Sequence, residues 1–232
     1  MISDNIKQRD IEWYRSRLGH FTGSRISDLL KSGRKKEQAF GDVALSYIYK
    51  VAAERMINPA FVNDDDVFLD YIDQMQTSSK AIRWGQDHEE EAKGLIKRLH
   101  PDWEISDLSS CKHDTIKFYA ASPDGLIYDR KEQMIVEVKC PNPDTHIKYV
   151  SCIKDNDTLK ATKPEYYYQM QAEMDCTNTP KGMFVSYCPW LTHPIHIVPI
   201  ARDEESIILI QSRVKQANEL VEDIINKATS SI

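Results

Sequence analysis

The chain has 232 residues, of which 41% are hydrophobic and 28% charged, with a formal net charge of -6. One hydrophobic core serves a chain of this size, so residues 1–232 are expected to form a single domain. Eight Gly and ten Pro exclude a linker-rich chain and the apolar fraction excludes disorder, while the acidic balance counts against a protein that coats DNA by charge alone.

In chain order, periodicity predicts a helix over roughly residues 6 to 17, with Trp13 and Arg17 four apart on nearby faces. A second helix is expected from Thr22 or Ser24, either of which suits an N-cap. Val43, Leu45, Ile48, Val51, Ala52 and Met56 recur near helical period and predict a core helix. Residues 62 to 75 are acidic and read as a surface loop or inserted segment. A long helix then runs from Ser78 to His100, ended before Pro101, with Ala81, Trp84, His88, Ala92, Leu95 and Leu99 on one side.

Four short β-branched or aromatic runs follow, beginning at Trp103, Ile116, Gly125 and Gln133, and predict a strand meander. A helix opens at Pro164, two strands begin at Gly182 and Ile195, and a last helix spans 203 to 228 behind three acids that suit its dipole. The stretch from Ser151 to Lys163 reads as insertion-prone. The expected fold is α/β, a central mixed β-sheet flanked by helices, without internal repeats.

Five cysteines, Cys111, Cys140, Cys152, Cys176 and Cys188, are an odd number and none lies in a CxxC spacing. Reduced, mostly buried thiols are expected rather than a metal or cluster site. The N-terminus lacks the apolar core of a signal peptide and no run reaches the length of a membrane span, so a cytoplasmic protein is expected. Charge is uneven: residues 1 to 36 carry nine Lys or Arg, Arg34 among them, against four acids, leaving the remainder at -11. Most acid clusters suit solvated faces. The basic segment interleaves Arg with Trp13, Tyr14 and Phe21, a mixture suited to phosphates and bases together.

The chemistry concentrates in Ser122-Pro-Asp124-Gly and Glu137-Val-Lys139. Asp124 sits at a turn that its Pro and Gly neighbours enforce. Glu137 and Lys139, two apart in a strand, share a face, while Val136, Val138 and Cys140 point the other way. Two carboxylates suit a hard divalent cation, and the lysine can orient or deprotonate a water that such a cation has acidified. The plainer alternative is an exposed Glu–Lys pair beside an ordinary turn.

These two motifs resemble the signature of PD-(D/E)xK nucleases with a restriction-endonuclease-like core, and specifically the phage lambda exonuclease group, the YqaJ-type viral recombinases. Trp13-Tyr-Arg-Ser-Arg17-Leu-Gly19 with Thr22-Gly-Ser24 is similar to that group's N-terminal motif, Trp84-Gly85 with Glu89 to its acidic helix, and Tyr166-Tyr-Tyr-Gln169-Met-Gln171 to its tyrosine and glutamine helix. The four stretches stand in the family's order.

The resemblance implies Asp124, Glu137, the Val138 carbonyl and Glu89 as ligands of Mg²⁺, with Mn²⁺ as a substitute and two ions per site. It implies Lys139 acting on the water and Gln169 positioning the lysine or the water. Arg17, Ser24 and Ser122 match residues that grip a 5′ phosphate. Trp13 matches a residue that stacks near the terminal base, and Ile82 an apolar wedge, although both also suit a core; Arg34 joins the DNA-binding set. The implied activity is 5′-to-3′ digestion of one strand of linear double-stranded DNA from a 5′-phosphorylated end, leaving a 3′ strand for recombination. A homotrimeric ring and a single-strand annealing protein as partner are implied too. The alternatives are another PD-(D/E)xK nuclease, an endonuclease or a Cas4-like exonuclease, or a non-catalytic nucleic-acid-binding module on the same fold.

Overall fold

The computed structural model describes residues 8–33, 38–75 and 80–230, without the side chains of Lys80, Ala81, Ile82 and Gln86. Arg34 lies outside the described residues, as does the side chain of Ile82, whose backbone is helical. In chain order come α1 (Ile11–Arg17), β1 (Phe21–Thr22), a 3-10 turn (Gly23–Arg25), α2 (Ile26–Leu29), α3 (Asp42–Arg55), α4 (Pro59–Asn63), α5 (Asp65–Met75) and α6 (Lys80–Leu99). Then follow β2 (Glu104–Ser106), β3 (Cys111–Lys112), β4 (Tyr119–Ala121), β5 (Gly125–Tyr128), β6 (Gln133–Lys139), α7 (Pro143–Cys152), α8 (Asn156–Thr162), α9 (Pro164–Thr177), β7 (Lys181–Tyr187), β8 (Ile195–Ala201) and α10 (Glu204–Thr229).

The main sheet runs β2-β5-β6-β7-β8, antiparallel except for the parallel pair β6–β7, in which Lys139 faces Ser186. Helices cover both faces. On one, Ala92 and Ile96 of α6 pack against Met134, Val136 and Val138 of β6 and against Met183 and Val185 of β7. On the other, Tyr167, Met170 and Met174 of α9 meet Ile135 and Phe184, together with Tyr149 and Leu159 of the α7 and α8 region. Burial on both faces explains why β6 reads as an almost unbroken apolar run. Behind α9 lies a third layer in which Ile48 and Val51 of α3 pack with Ile210, Val214 and Val221 of α10.

The close approach of α9 to the sheet depends on Gly182. A Cβ there would stand 2.6 Å from Ile135 Cγ1 and 3.0 Å from Met170 Cε. Gly23 likewise lets the 3-10 turn rest on β4, since a Cβ would meet that of Ala121 at 3.2 Å.

Several expectations are corrected. Residues 62 to 75 are not a loop: Asp64 accepts the Val67 N–H at 3.1 Å, Asp65 and Asp66 fill the first turn of α5, and Phe68 is buried behind them. The acid run is therefore a helix start, where negative charge meets the positive end of the dipole. Helix α1 begins only at Ile11, because Asp10 caps it by accepting the Trp13 N–H. In α3 the buried face runs through Ala44, Tyr47, Ile48, Val51 and Ala52, leaving Val43 and Met56 exposed. The meander is divided: β4 leaves the main sheet and pairs in parallel with β1 and antiparallel with β3. On α6 the buried stripe is Glu89, Ala92, Lys93 and Ile96, with Leu99 exposed. The stretch that reads as insertion-prone is itself ordered, forming the end of α7 and all of α8, the latter opened by an Asp155–Thr158 capping box.

A candidate active site between the sheet and helix α9

Strand alternation places Ile135, Glu137 and Lys139 toward α9, and Val136 and Val138 toward α6. Glu137 is 2% exposed. Its Oε1 accepts from Lys139 Nζ and, at 2.5 Å, from Gln169 Nε2. The Gln169 oxygen faces Lys139 Nζ at 3.4 Å, and the ammonium lies 4.8 Å from the Tyr166 ring centroid. Asp124, at the turn into β5, accepts the Val138 N–H at 2.7 Å and is thereby tied to the middle of the same motif.

The electrostatics are those of crowded acids. Burial pushes the Asp124 carboxyl well above the usual carboxylate range, and the charges of Glu137 and Glu89 push it further, against relief from Lys139 and the Val138 N–H. Burial works against the Lys139 charge, but Glu137 and Asp124 outweigh it and its pKa rises.

Glu89 stands on the inward stripe of α6, near enough to act on Asp124, with its oxygens held by Arg9 at 2.7 Å and Lys93 at 3.0 Å. Among the described residues, no three Asp, Glu, His or Cys converge as a ready coordination cage. Asp124 and Glu137 come together; Glu89 lies beside them, neutralised by two cations. Even so, a cation fits the cluster. Glu137 Oε2 is buried without a hydrogen-bond partner. A buried acceptor left unsatisfied costs roughly 1–3 kcal/mol, which a metal ion at that oxygen would remove.

A second group lies at the other end of the Ser122–Asp124 turn. Arg17 Nη1 donates to Ser122 Oγ at 2.6 Å, and the guanidinium lies 4.2 Å from the Trp13 ring centroid. Among the described residues Arg17 forms no ion pair, and burial lowers its pKa, although a guanidinium stays charged. Trp13, Arg17 and Ser24 line one cleft of about 250 Å³, whose other wall is Phe68, Tyr71, Ile72 and Met75 around α5. Trp13 thus belongs to the cleft and not to the core.

Two features went unread in the sequence. The wall made by α5 was hidden in the supposed loop. Glu173, one turn beyond Gln169 on α9, is 1% exposed and accepts from Gln169 Nε2 at 2.9 Å. Burial, then Glu137, push its carboxyl well above the usual range. The i, i+4 spacing of Gln169 and Glu173 was the available signal.

A glutamate and a lysine on one strand of a mixed sheet, an aspartate at the neighbouring turn and a glutamine from the covering helix, with an arginine–serine pair beside them, fit an enzyme of the PD-(D/E)xK nuclease class, of exonuclease type. The sequence matches the YqaJ-like viral recombinase domain over residues 12–180, and the chain belongs to that family.

The fold is similar to that of an alkaline exonuclease from Laribacter hongkongensis, with a TM-score of 0.74 and 26% identity over 96% of this chain and 97% of that one. The same enzyme in complex with dAMP gives a TM-score of 0.73, at 26% identity over 96% of this chain and 100% of the other. A phage-related exonuclease from Haemophilus somnus shares the fold, at TM-score 0.66 and 16% identity over 90% and 96% of the two chains. No curated protein matches the sequence.

Proposed function

We propose that residues 1–232 act as one nuclease domain that digests a single strand of linear duplex DNA from a 5′-phosphorylated end, in the 5′-to-3′ direction, with Mg²⁺. The observation that carries this reading is the turn Ser122-Pro123-Asp124. One end holds the Arg17 grip and the other joins the acid–lysine cluster. Two residues span at most about 7 Å. A terminal phosphate on Arg17 and Ser122 would therefore leave the next phosphodiester beside Asp124, Glu137 and Lys139, which suits removal of one nucleotide at a time.

Asp124, Glu137 and the Val138 carbonyl would hold the ion, with Glu89 joining once released from Arg9 or Lys93, and two ions are expected. When bound, the metal would acidify a water and offset charge on the attacking and leaving oxygens. Lys139 keeps its proton between Glu137 and Gln169 and is placed to orient the attacking water by donating to it. Gln169 fixes the lysine by accepting from it. Arg17 would hold the terminal phosphate by two parallel donors, with Ser24 and Ser122 adding hydroxyls. Trp13 offers its face to the terminal base, and Ile82 and Arg34 are proposed to contact the duplex.

Recombination through a single-strand annealing partner, and a trimeric ring around the DNA, are supported by the family alone. Action in the cytoplasm is supported by the five free thiols, which suit a reducing compartment. No helix among the described residues is long and apolar enough to cross a membrane.

The test is digestion of linear duplex bearing 5′-phosphate or 5′-hydroxyl ends in Mg²⁺, beside a closed circular control. Loss of the linear phosphorylated strand with an intact circle is expected. Cutting of the circle would make the protein an endonuclease, and inertness toward both, with no heat of Mg²⁺ or Mn²⁺ binding, would make it a non-catalytic module.

A further inference from the structure

We infer that Glu173 is a positioning residue for hydrolysis, acting on Lys139 through the side-chain amide of Gln169. The inference rests on the nuclease reading above and adds to it a residue that touches neither DNA nor metal.

A glutamine amide has two faces of opposite character, one donating and one accepting, and its neighbours decide which way it turns. Gln169 Nε2 has two acceptors, Glu137 Oε1 at 2.5 Å and Glu173 Oε1 at 2.9 Å. With both amide hydrogens committed to carboxylates, the carbonyl oxygen must point away from them. It points at Lys139 Nζ, 3.4 Å away. Were the amide reversed, an N–H would face an ammonium and an oxygen would face the Glu137 carboxylate, unfavourable at both ends. Glu137 alone fixes one hydrogen; Glu173 fixes the second and closes the choice.

The burial of Glu173 works against stability. The side chain is buried between α9 and the sheet, with Oε2 left without a hydrogen-bond partner. Burying an acid in that state is costly, whichever protonation state it takes. Apolar side chains of similar volume occupy neighbouring positions of α9, Met170 and Met174 among them. A methionine would fill the space at Glu173 without the polar penalty. A costly group beside the reacting residues is the pattern of stability yielded to function.

The two roles of the carboxylate, charge and acceptor, are separable. Glu173→Gln keeps an oxygen that can accept from Gln169 but removes the charge, whereas Glu173→Met keeps the volume and removes the acceptor. The experiment measures kcat and KM on 5′-phosphorylated linear duplex for wild type, both variants, Gln169→Met, and the double variant Glu173→Met with Gln169→Met, with circular dichroism to verify folding.

The expected result is a kcat about tenfold lower for Glu173→Met at unchanged KM. Glu173→Gln should stay within about threefold of wild type, and the double variant should be no slower than Gln169→Met. A wild-type kcat in Glu173→Met overturns the inference, as does an additive loss in the double variant, which would mean that Glu173 acts independently of Gln169. Should Glu173→Met fail to fold, a Glu173→Gln enzyme as slow as Gln169→Met overturns it, and a near wild-type Glu173→Gln enzyme supports the acceptor role. Wild-type protein that leaves linear duplex intact sinks the nuclease reading, and this inference with it; digestion by wild type with unaltered variants sinks this inference alone.

Discussion

The acid–lysine cluster and the Arg17 cleft are built by opposite means. Glu137 and Lys139 sit on a strand paired on both edges and covered on both faces, and hydrogen bonds to Gln169 and from the Val138 N–H to Asp124 hold the cluster in place. The cleft is assembled from short pieces, α1, the 3-10 turn and α5, and beside the Arg17–Ser122 hydrogen bond its groups meet largely through ring faces, Arg17 over Trp13 and Arg25 at 4.2 Å from the Tyr47 centroid. Chemistry needs reacting groups held within fractions of an ångström, which a central strand supplies. Gripping a DNA end tolerates more, and stacking contacts accept any base.

Breaking the first region should cost most. Lys139→Ala is expected to lower kcat by about a thousandfold or more while binding to linear duplex, measured by fluorescence anisotropy, stays near wild type. Digestion at the wild-type rate would remove the lysine from the chemistry.

Breaking the second should alter selection and not the chemical step. Arg17→Ala should reduce the preference for 5′-phosphate over 5′-hydroxyl ends by roughly ten- to a hundredfold, the worth of a charge-assisted bond, in competition digests of the two substrates. An unchanged ratio would detach Arg17 from the phosphate.

The smallest effect is on stability. His20 lines the cleft, and burial depresses its pKa from the ordinary 6.5 to about 4. The folded protein keeps the ring neutral while the unfolded chain takes up a proton, so this contribution is complete above pH 6.5 and declines as pH falls toward 4. Urea unfolding should show wild type losing up to about 2 kcal/mol more than His20→Gln between pH 7 and pH 5. Equal losses would show that His20 titrates alike in both states.

What the sequence disclosed follows the same division. The elements carrying Asp124, Glu137, Lys139 and Gln169 were legible, because period-2 alternation in QMIVEVKC and Pro164 at a helix start are local signals. That Glu137 and Gln169, far apart in sequence, would share a hydrogen bond is a tertiary fact that the residues disclosed only through their family resemblance. The wall of the cleft was missed because Asp64, Asp65 and Asp66 suit solvent as well as a helix start, and only Phe68, Tyr71, Ile72 and Met75 at helical spacing favoured the second. Glu173 was passed over because an acid on a helix is ordinarily exposed. The division of β4 from the main sheet had no local signal: its three residues would suit either partner.

The parallel pairing of β6 with β7 bears on how the enzyme comes into being. Parallel neighbours cannot be joined by a hairpin, and here α7, α8 and α9 all lie in the connection. Lys139 therefore has no opposite strand, and no Gln169 above it, until the chain has been synthesised through β7 and the crossover has docked. Contacts so distant in sequence form late and slowly during folding. A ribosome-bound chain that has emerged only through β6 holds Asp124, Glu137 and the lysine yet lacks the assembled centre, which forms only once the crossover and β7 have docked.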